Sequence, residues 1–574
     1  MNKRRSKETN GIVIPQWRRI RDYFRSLFPS REKTLVILYT TDVHGFIYPY
    51  DYILGRDTQW GLARVATLIE AYRKRYPDVL LLDNGDFLQG SPLTYYYNFL
   101  RKRGSHPVAR VMNALKYDAA SVGNHDIEQG PRVYNRVRRQ FRFPWLSANA
   151  KVGRKRSYFQ PYTIREFGDI RIAILGLTTP AIPLWLNPDL YPGIHWQDMV
   201  SAARGWLPYL KESQRANVVI GLFHAGIHPN ANRPDWPEDI PEENPCLQIA
   251  EEMPGYDVIL AAHEHRLYNS HPLEGEPDNP RRPLVMMAGS HGRHLGVIFL
   301  RLKKEKTGWK VVDKWGKIEN ARRESPHPAI VDIMRPYHQR IMRYINSRIG
   351  YARDTISSRY SRLKDGGFVD LIHQTQFRFS QADVSLAASF TTTYVLKKGP
   401  IRIRDVYGLY KYENYLYVVI LTGQQLIDHL EWTAQYFNTV DPEDPLARPL
   451  INADFMGFNY DMAEGITYEI DITRPVGERI QNVRLTATGE PLDRQQSFRV
   501  AVNSYRAQQL RKRFRCPIVW KSNKEIRDLI VEYIKEKREI RDKTTHNWKL
   551  VPEWIVEKYI RERLERDLSA IRDE

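Results

Sequence analysis

The chain has 574 residues, 42% hydrophobic, 27% charged and 12% aromatic, enough for two or more domains with ordinary globular cores. No apolar run approaches the roughly 20 residues of a membrane-spanning helix, and two distant cysteines, Cys246 and Cys516, argue against a disulfide framework or a thiolate metal site. The net charge of +20 is spread along the sequence, which reads as a generally basic surface favouring phosphorylated substrates rather than as a nucleic-acid stripe.

Residues 1–32 form a basic, amphipathic extension. Within it PQWRRIRDYFRSLF (15–28) has helical spacing and suits a short docking helix, with an interfacial helix as the alternative. The extension lacks the apolar core of a signal peptide, which by itself points to the cytoplasm. From Leu35 to about residue 300, apolar runs alternate with helical stretches. LVILYTT (35–41) precedes a helix at GLARVATLIEAYRKRYP, and VLLLDNGD (79–86) precedes PVARVMNALKY. AASVGNHD (119–126), RIAILGLTT (171–179), a helix near 198–213, VVIGLFHAG (218–226), VILAAHEH (258–265) and PLVMMAGSHG (283–292) follow. This alternation is an α/β pattern whose strands are covered on both faces. The polar stretch 229–246 is expected as a loop beside the site.

Residues 326–365, arginine-rich and helical by periodicity, read as a connector. A second mixed α/β pattern then runs over 366–552, through ADVSLAASF, YLYVVILTG, QQLIDHLEWTAQYF, GITYEIDIT and SFRVAVNSY, and residues 553–574 are a charged helical tail. The first α/β region, 33–325, carries the chemistry.

There, apolar runs end in Asp42 and His44, in Asp86, in Asn124 with His125, in His224, and in His263 with His265. Strand carboxyl ends are where α/β sheets present ligands. Carboxylate, imidazole and amide oxygen suit a borderline or hard divalent ion such as Zn, Mn, Fe or Co. Asp42, His44, Asp86, Asn124, His224, His263 and His265 exceed the needs of one four-coordinate ion but suffice for two if Asp86 bridges, the arrangement used for phosphate ester hydrolysis. Each residue has a plainer alternative, such as a turn-forming Asp or a core His. It is their joint recurrence at strand ends that argues for a site. Gly85, Gly123 and Gly226 are expected to allow tight turns and close backbone approach to phosphate.

The order D-x-H, G-D, G-N-H-D, H-x-G, H-x-H resembles the calcineurin-like metallophosphoesterases. The following half resembles the C-terminal domain of 5'-nucleotidases and 2',3'-cyclic-nucleotide 2'-phosphodiesterases, and the stretches that support the resemblance along the chain are SANA (147–150), AGSHGRHLG (288–296), ADVSLAASF (382–390), LTGQQLIDHLE (421–431), AEGITYEID (463–471) and VNSYRA (502–507). The resemblance implies a four-layer metallophosphoesterase β-sandwich with flanking helices, followed by a 5'-nucleotidase C-terminal domain. It implies one ion on Asp42, His44, Asp86 and His265, and another on Asp86, Asn124, His224 and His263. It makes His125 the active-site histidine, and it places the base between Tyr412 and Tyr505 with Asn414 as a polar partner. Relatives of this layout are commonly exported, which opposes the reading of the N-terminus.

Three departures stand out. Glu128 occupies the place where an Asp often supports the histidine, AASFTTT replaces the phosphate-site segment of 5'-nucleotidases, and QQLRKRF (508–514) replaces a glycine-rich continuation. Arg506 and Arg511 are either phosphate contacts or solvated surface. The expected substrate is a nucleotide or cyclic nucleotide, with no stable nucleic-acid complex. A DNA or RNA nuclease, motivated by the charge, and a non-catalytic binding module on the same fold are the rivals.

Overall fold

A computed structural model describes residues 31–153, 156–230, 240–270 and 282–564. The helix expected at 15–28, the end of the charged tail and the middle of the 229–246 loop lie outside these residues.

The Glu32–Thr40 strand sets the architecture. It is apolar on both sides of its pleat, and the two sides have different neighbours. Leu35, Ile37 and Tyr39 face a core shared with Leu80, Ile172, Ile220 and Leu260, whereas Val36 and Leu38 lie under the helices that carry Val65, Ile69, Val108 and Met112. Strands of one sheet thus bury one face against a second sheet and the other against helices, which is why an alternating polar pattern is absent. The first sheet runs Gly308–Asn320, His294–Glu305, Glu32–Thr40, Val79–Asp83, Ala119–Ser121, Trp145–Leu146. Its last four strands are parallel, and His294–Glu305 joins antiparallel. The second runs Leu267–Asn269, Leu284–Ala288, Val258–Ala261, Val218–His224, Ile170–Thr178, Tyr162–Phe167, with a parallel centre and antiparallel edges. Its outer face packs Ala173, Leu175, Val219 and Ile259 against helices Met199–Pro208 and Cys246–Glu252. Helix, sheet, sheet, helix makes four layers.

The helix Pro328–Ile345 lays Ile330, Met334, Tyr337, Ile341 and Ile345 into the first domain's core. The helical part of the stretch after 325 ends there. Arg348–Ala352 is already a strand, paired with Gly399–Arg402 and Glu539–Ile540, so the buried cores change over between Ile345 and Ile349. The second domain centres on a five-stranded mixed sheet, Asp461–Glu464, Val384–Ala388, Ser497–Asn503, Tyr415–Thr422, Ile518–Glu525, flanked by helices Gly367–Ser380, Gly423–Thr433, Ser504–Phe514 and Ile526–Lys537. Among the described residues no helix is long and apolar enough to cross a membrane.

The two domains touch through polar contacts. Gln129 Nε2 donates to Glu413 Oε2 at 3.1 Å, Tyr95 to Asp528 at 2.5 Å, and Asn187 to Tyr417 at 2.8 Å. Glu413 and Glu525 share the buried Arg527, whose guanidinium lies 4.4 Å from the Tyr407 ring centre.

Candidate active site

The metal-competent side chains project from turns just beyond the strand ends, and both sheets contribute. Asp42 and His44 follow Thr40, Asp86 follows Asp83, and Asn124 opens the short helix after Ser121. His224 ends its strand, and His263 and His265 follow Ala261. Asp42, His44 and His265 offer ligand atoms within 4.8 Å of one another, and so do Asp86, His224 and His263. Asn124 Oδ1 lies 3.0 Å from His224 Nε2, alongside the second group.

Their backbone is bent to serve this convergence. Asp42, His44, Asp86, His263 and His265 all have φ between +49° and +72°, the left-handed region that costs a non-glycine residue energy. The turns are held from behind. Asp126 accepts from the amides of Asp86, Phe87, Leu88 and Gly123 at 2.9–3.1 Å, so one carboxylate ties the G-D turn to the G-N-H turn. Burial, then repulsion from Asp86, raises its pKa to about 7. A Cβ on Gly123 would strike the Asp86 carboxylate, and Gly85 at φ +88° faces Gly123 and the His224 ring. A Cβ on Gly226 would likewise meet the Glu264 carboxylate, so all three glycines make room for the site's own groups, and Gly85 takes the tight turn expected of it.

The donor set fits divalent cations. His224 Nδ1 donates to the Asn84 carbonyl at 2.5 Å and His44 Nδ1 to the Gln89 carbonyl at 3.1 Å, which leaves each Nε2 as the inward-facing atom. Around His224 Nε2 stand Asn124 Oδ1 and Asp86 Oδ2, the latter 3.1 Å away, buried and without a hydrogen bond. Burial opposes charge on His224, but Asp86 outweighs it and raises the pKa to about 9. A proton or a cation is thus wanted at that point. In the other group His44 Nε2 and His265 Nε2 face each other at 2.9 Å, with Asp42 Oδ1 3.5 Å from His265. Burial, then the neighbouring His265, lowers the His44 pKa to about 3, so this imidazole is neutral and its lone pair is available.

His125 stands beside both groups. Its amide donates to Asp86 Oδ1 at 2.8 Å, and its Nδ1 donates to Glu128 Oε2 at 2.6 Å. The extra methylene of Glu128 therefore reaches the histidine. Burial works against charge on His125, yet Asp86 and Glu128 together raise its pKa to about 10.

On the second domain's side, Tyr412 packs edge-on against Phe390 at 4.8 Å between ring centres. Phe458 stands 6.4 Å from both Tyr412 and Tyr505, edge-on to each. Asn414 is buried and accepts from Ser504 Oγ at 3.4 Å. Arg506 overturns both expectations for it: it is buried, its Nε 2.5 Å from Asp461 Oδ2, with Nη2 donating to the Phe458 carbonyl at 3.1 Å. Asp461 in turn accepts from His429 at 2.9 Å. Arg506→Ala leaves Asp461 buried without its cation and should cost about 3–5 kcal/mol of stability, read by urea unfolding of the purified protein. A loss below about 1 kcal/mol would mean that the pair is not held as described. Arg511 is exposed.

Two residues that the sequence reading passed over belong here. Glu413, within the YKYEN segment, reaches Gln129, whose Nε2 also donates to the His125 carbonyl at 3.3 Å. His291 shares the site's left-handed backbone at φ +59°, donates its amide to the Asp42 carbonyl at 2.8 Å, and places its ring 5.4 Å from that of His44. Its only sequence signal is its place inside AGSHGRHLG.

Comparison with known proteins follows this division of the chain. Residues 35–267 match the calcineurin-like phosphoesterase family and residues 348–514 the 5'-nucleotidase C-terminal domain. The trifunctional nucleotide phosphoesterase protein YfkN of Bacillus subtilis is 30% identical along 90% of this chain, which spans 39% of that longer protein. A solved calcineurin-like phosphoesterase structure of YfkN is 32% identical and matched over its whole length, covering 55% of this chain with a TM-score of 0.50. The 2',3'-cyclic-nucleotide 2'-phosphodiesterase/3'-nucleotidase of Haemophilus influenzae is 28% identical over 90% of this chain and 87% of its own length. The solved structure of a candidate 5'-nucleotidase from Staphylococcus aureus shares the fold over 90% of this chain and all of that one, with a TM-score of 0.77 at 23% identity.

Proposed function

Because the chain belongs to the calcineurin-like phosphoesterases and carries a 5'-nucleotidase C-terminal domain, we propose that it hydrolyses nucleotides or 2',3'-cyclic nucleotides to nucleoside and phosphate. The observation that carries this reading is the convergence of two metal-competent groups beside a histidine–glutamate pair, next to a second domain with a cluster of half-buried aromatic rings. Asp42, His44 and His265 would hold one divalent ion, His224, His263 and Asn124 the other, with Asp86 shared. Zn, Mn, Fe and Co all suit this donor set. When bound, such a pair supplies Lewis acidity at the phosphoryl oxygens and lowers the pKa of water.

The chain's own part in the reaction is positioning and proton transfer. Water adds to phosphorus, the phosphorus–oxygen ester bond breaks, and the departing ribose oxygen takes a proton. With Nδ1–H committed to Glu128, His125 carries that proton on Nε2. Tyr412 and Tyr505 stack on the base, and Asn414 selects among bases by hydrogen bonding. Binding affinity and proton donation thus come from different domains, which makes the contact from Glu413 to Gln129 a link between them.

The test is phosphate release from 2',3'-cyclic AMP, 3'-AMP, AMP and UDP-glucose, in parallel, with Mn, Zn or Co added. Turnover of the cyclic and 3' substrates is expected, in line with the Haemophilus relative and with the AASFTTT departure. Turnover of AMP alone would move the protein to the 5'-nucleotidase branch, and no turnover with any metal would favour a nuclease or a binding module. Base stacking on aromatic rings contributes about 1–3 kcal/mol per base in single-strand binders. The double variant Tyr412→Ala, Tyr505→Ala should therefore raise KM for the preferred nucleotide by about tenfold or more and leave p-nitrophenyl phosphate esters nearly unchanged. Equal effects on both substrates would remove these tyrosines from base recognition.

A further inference from the structure

The polar stretch 229–246 contributes a side chain that the reaction scheme does not use. Glu243 Oε1 lies 2.7 Å from His263 Nε2, and both side chains are more than four-fifths buried. An ionised carboxylate can only accept, so Nε2 carries the proton and the lone pair of His263 stays on Nδ1. His224 and His44 are oriented by the same principle, through backbone carbonyls; for His263 the partner is a full negative charge.

Glu243 is held in place independently of His263. Its other oxygen accepts from Asn230 Nδ2. The Asn230 amide donates to both oxygens of Glu242 at 2.9 and 3.0 Å, and Asn244 Oδ1 accepts from the Gly226 amide at 2.8 Å. Residues 242–246 are thereby stapled to the turn that follows the His224 strand. Glu264, between the two histidines of H-E-H, ties the same turn from the other side by accepting from the Ile227 amide at 2.6 Å and from His228 Nδ1 at 2.7 Å. The His263 ring is confined further by Trp185, 5.4 Å away, and by His224, 5.6 Å away. A ring with two walls, a fixed φ of +72° and a charged acceptor on one nitrogen has a single way to present the other.

We propose that Glu243 is the positioning residue of the second metal group, fixing the tautomer and orientation in which His263 meets the ion. The proposal rests on the two-metal reading only in requiring that a divalent ion bind. Removing such an outer partner typically lowers metal affinity by about 10- to 100-fold.

The experiment is equilibrium binding of Mn²⁺ to the full-length protein, comparing wild type with Glu243→Ala, Glu243→Gln, His263→Ala and the double variant Glu243→Ala, His263→Ala. Wild type should take up two ions. Glu243→Ala should weaken one of them by about 10- to 100-fold, the one lost in His263→Ala, and leave the other unchanged. Glu243→Gln keeps the shape and an acceptor but not the charge, so it should fold as wild type and fall between the two. In the His263→Ala background, Glu243→Ala should cost nothing further, because its effect passes through the missing ring. Unchanged affinity in both Glu243 variants, equal weakening of both ions, or additive losses in the double variant would each overturn the proposal. A wild-type protein that binds no Mn²⁺ would overturn the two-metal reading itself and this role with it.

Discussion

Asp86→Asn is expected to abolish uptake of both metal ions and to lower nucleotide hydrolysis by about three orders of magnitude or more. Loss of even one electrostatic contact to the transition state costs about 10²–10³ in turnover, and Asp86 serves several partners at once. It lies in the second group, accepts the His125 amide at 2.8 Å and approaches His224 at 3.1 Å. Its charge also acts on His44 in the first group. Asparagine keeps the volume and one acceptor oxygen but removes the charge that favours cations on both sides. The fold should survive the change, because Asp42 and Asp126 lie buried beside it and are relieved of a like charge. Wild-type Tm should therefore rise with added Mn²⁺, by the stabilisation that a bound ligand confers on the native state, while Tm of the variant should not respond. Metal content measured on purified protein gives the second readout. A variant with two ions and wild-type turnover would remove Asp86 from the centre of the site.

His125→Ala separates proton transfer from metal binding. General acid catalysis by a positioned side chain contributes about 10²–10⁴ in rate. The variant should lose that factor on 3'-AMP or 2',3'-cyclic AMP while binding Mn²⁺ as wild type does. The loss should shrink on p-nitrophenyl phosphate esters, since a nitrophenolate departs without a proton. Glu128→Gln retains a hydrogen-bond partner at 2.6 Å but not the charge, so its loss should be smaller and follow the same order of leaving groups. Equal losses on all leaving groups would assign His125 to the phosphoryl oxygens instead of the departing one. Wild-type rates would remove it from the reaction.

Some of the fold escaped the sequence for identifiable reasons. The long hairpin His294–Glu305 and Gly308–Asn320, which completes the first sheet, carries Arg, Lys, Asp and Glu among its apolar residues. Its first strand opens on a short apolar run, residues 295–300, but the rest of the hairpin is half exposed and mixes charged with apolar residues, so the second strand gives no continuous apolar run. Arg506 reads as surface in a run of arginines, yet Asp461, 45 positions earlier in the chain, supplies the counter-charge that lets it be buried. The helical periodicity after residue 325 is real, but whether a segment ends as helix or strand was decided by the edges available to it. Arg348–Ala352 found partners at Gly399–Arg402 and Glu539–Ile540.

The sequence by itself determined the chemical inventory of the site: which carboxylates, imidazoles and amide stand just beyond buried strands, and hence that hard or borderline divalent ions suit them. Those features are local, because a strand end, a turn glycine and a side-chain donor are each fixed within a few residues. Only the tertiary structure decided how the inventory is divided. Asp42, Asp86 and Asn124 come from one sheet and His224, His263 and His265 from the other, and their meeting depends on two sheets packing with their carboxyl edges side by side. It likewise decided that Asp126 holds two turns together, that Glu413 reaches Gln129 from the other domain, and that Glu243 faces His263. Each of these is a polar contact between residues distant in sequence, and its partner is named only when the apolar layers have packed.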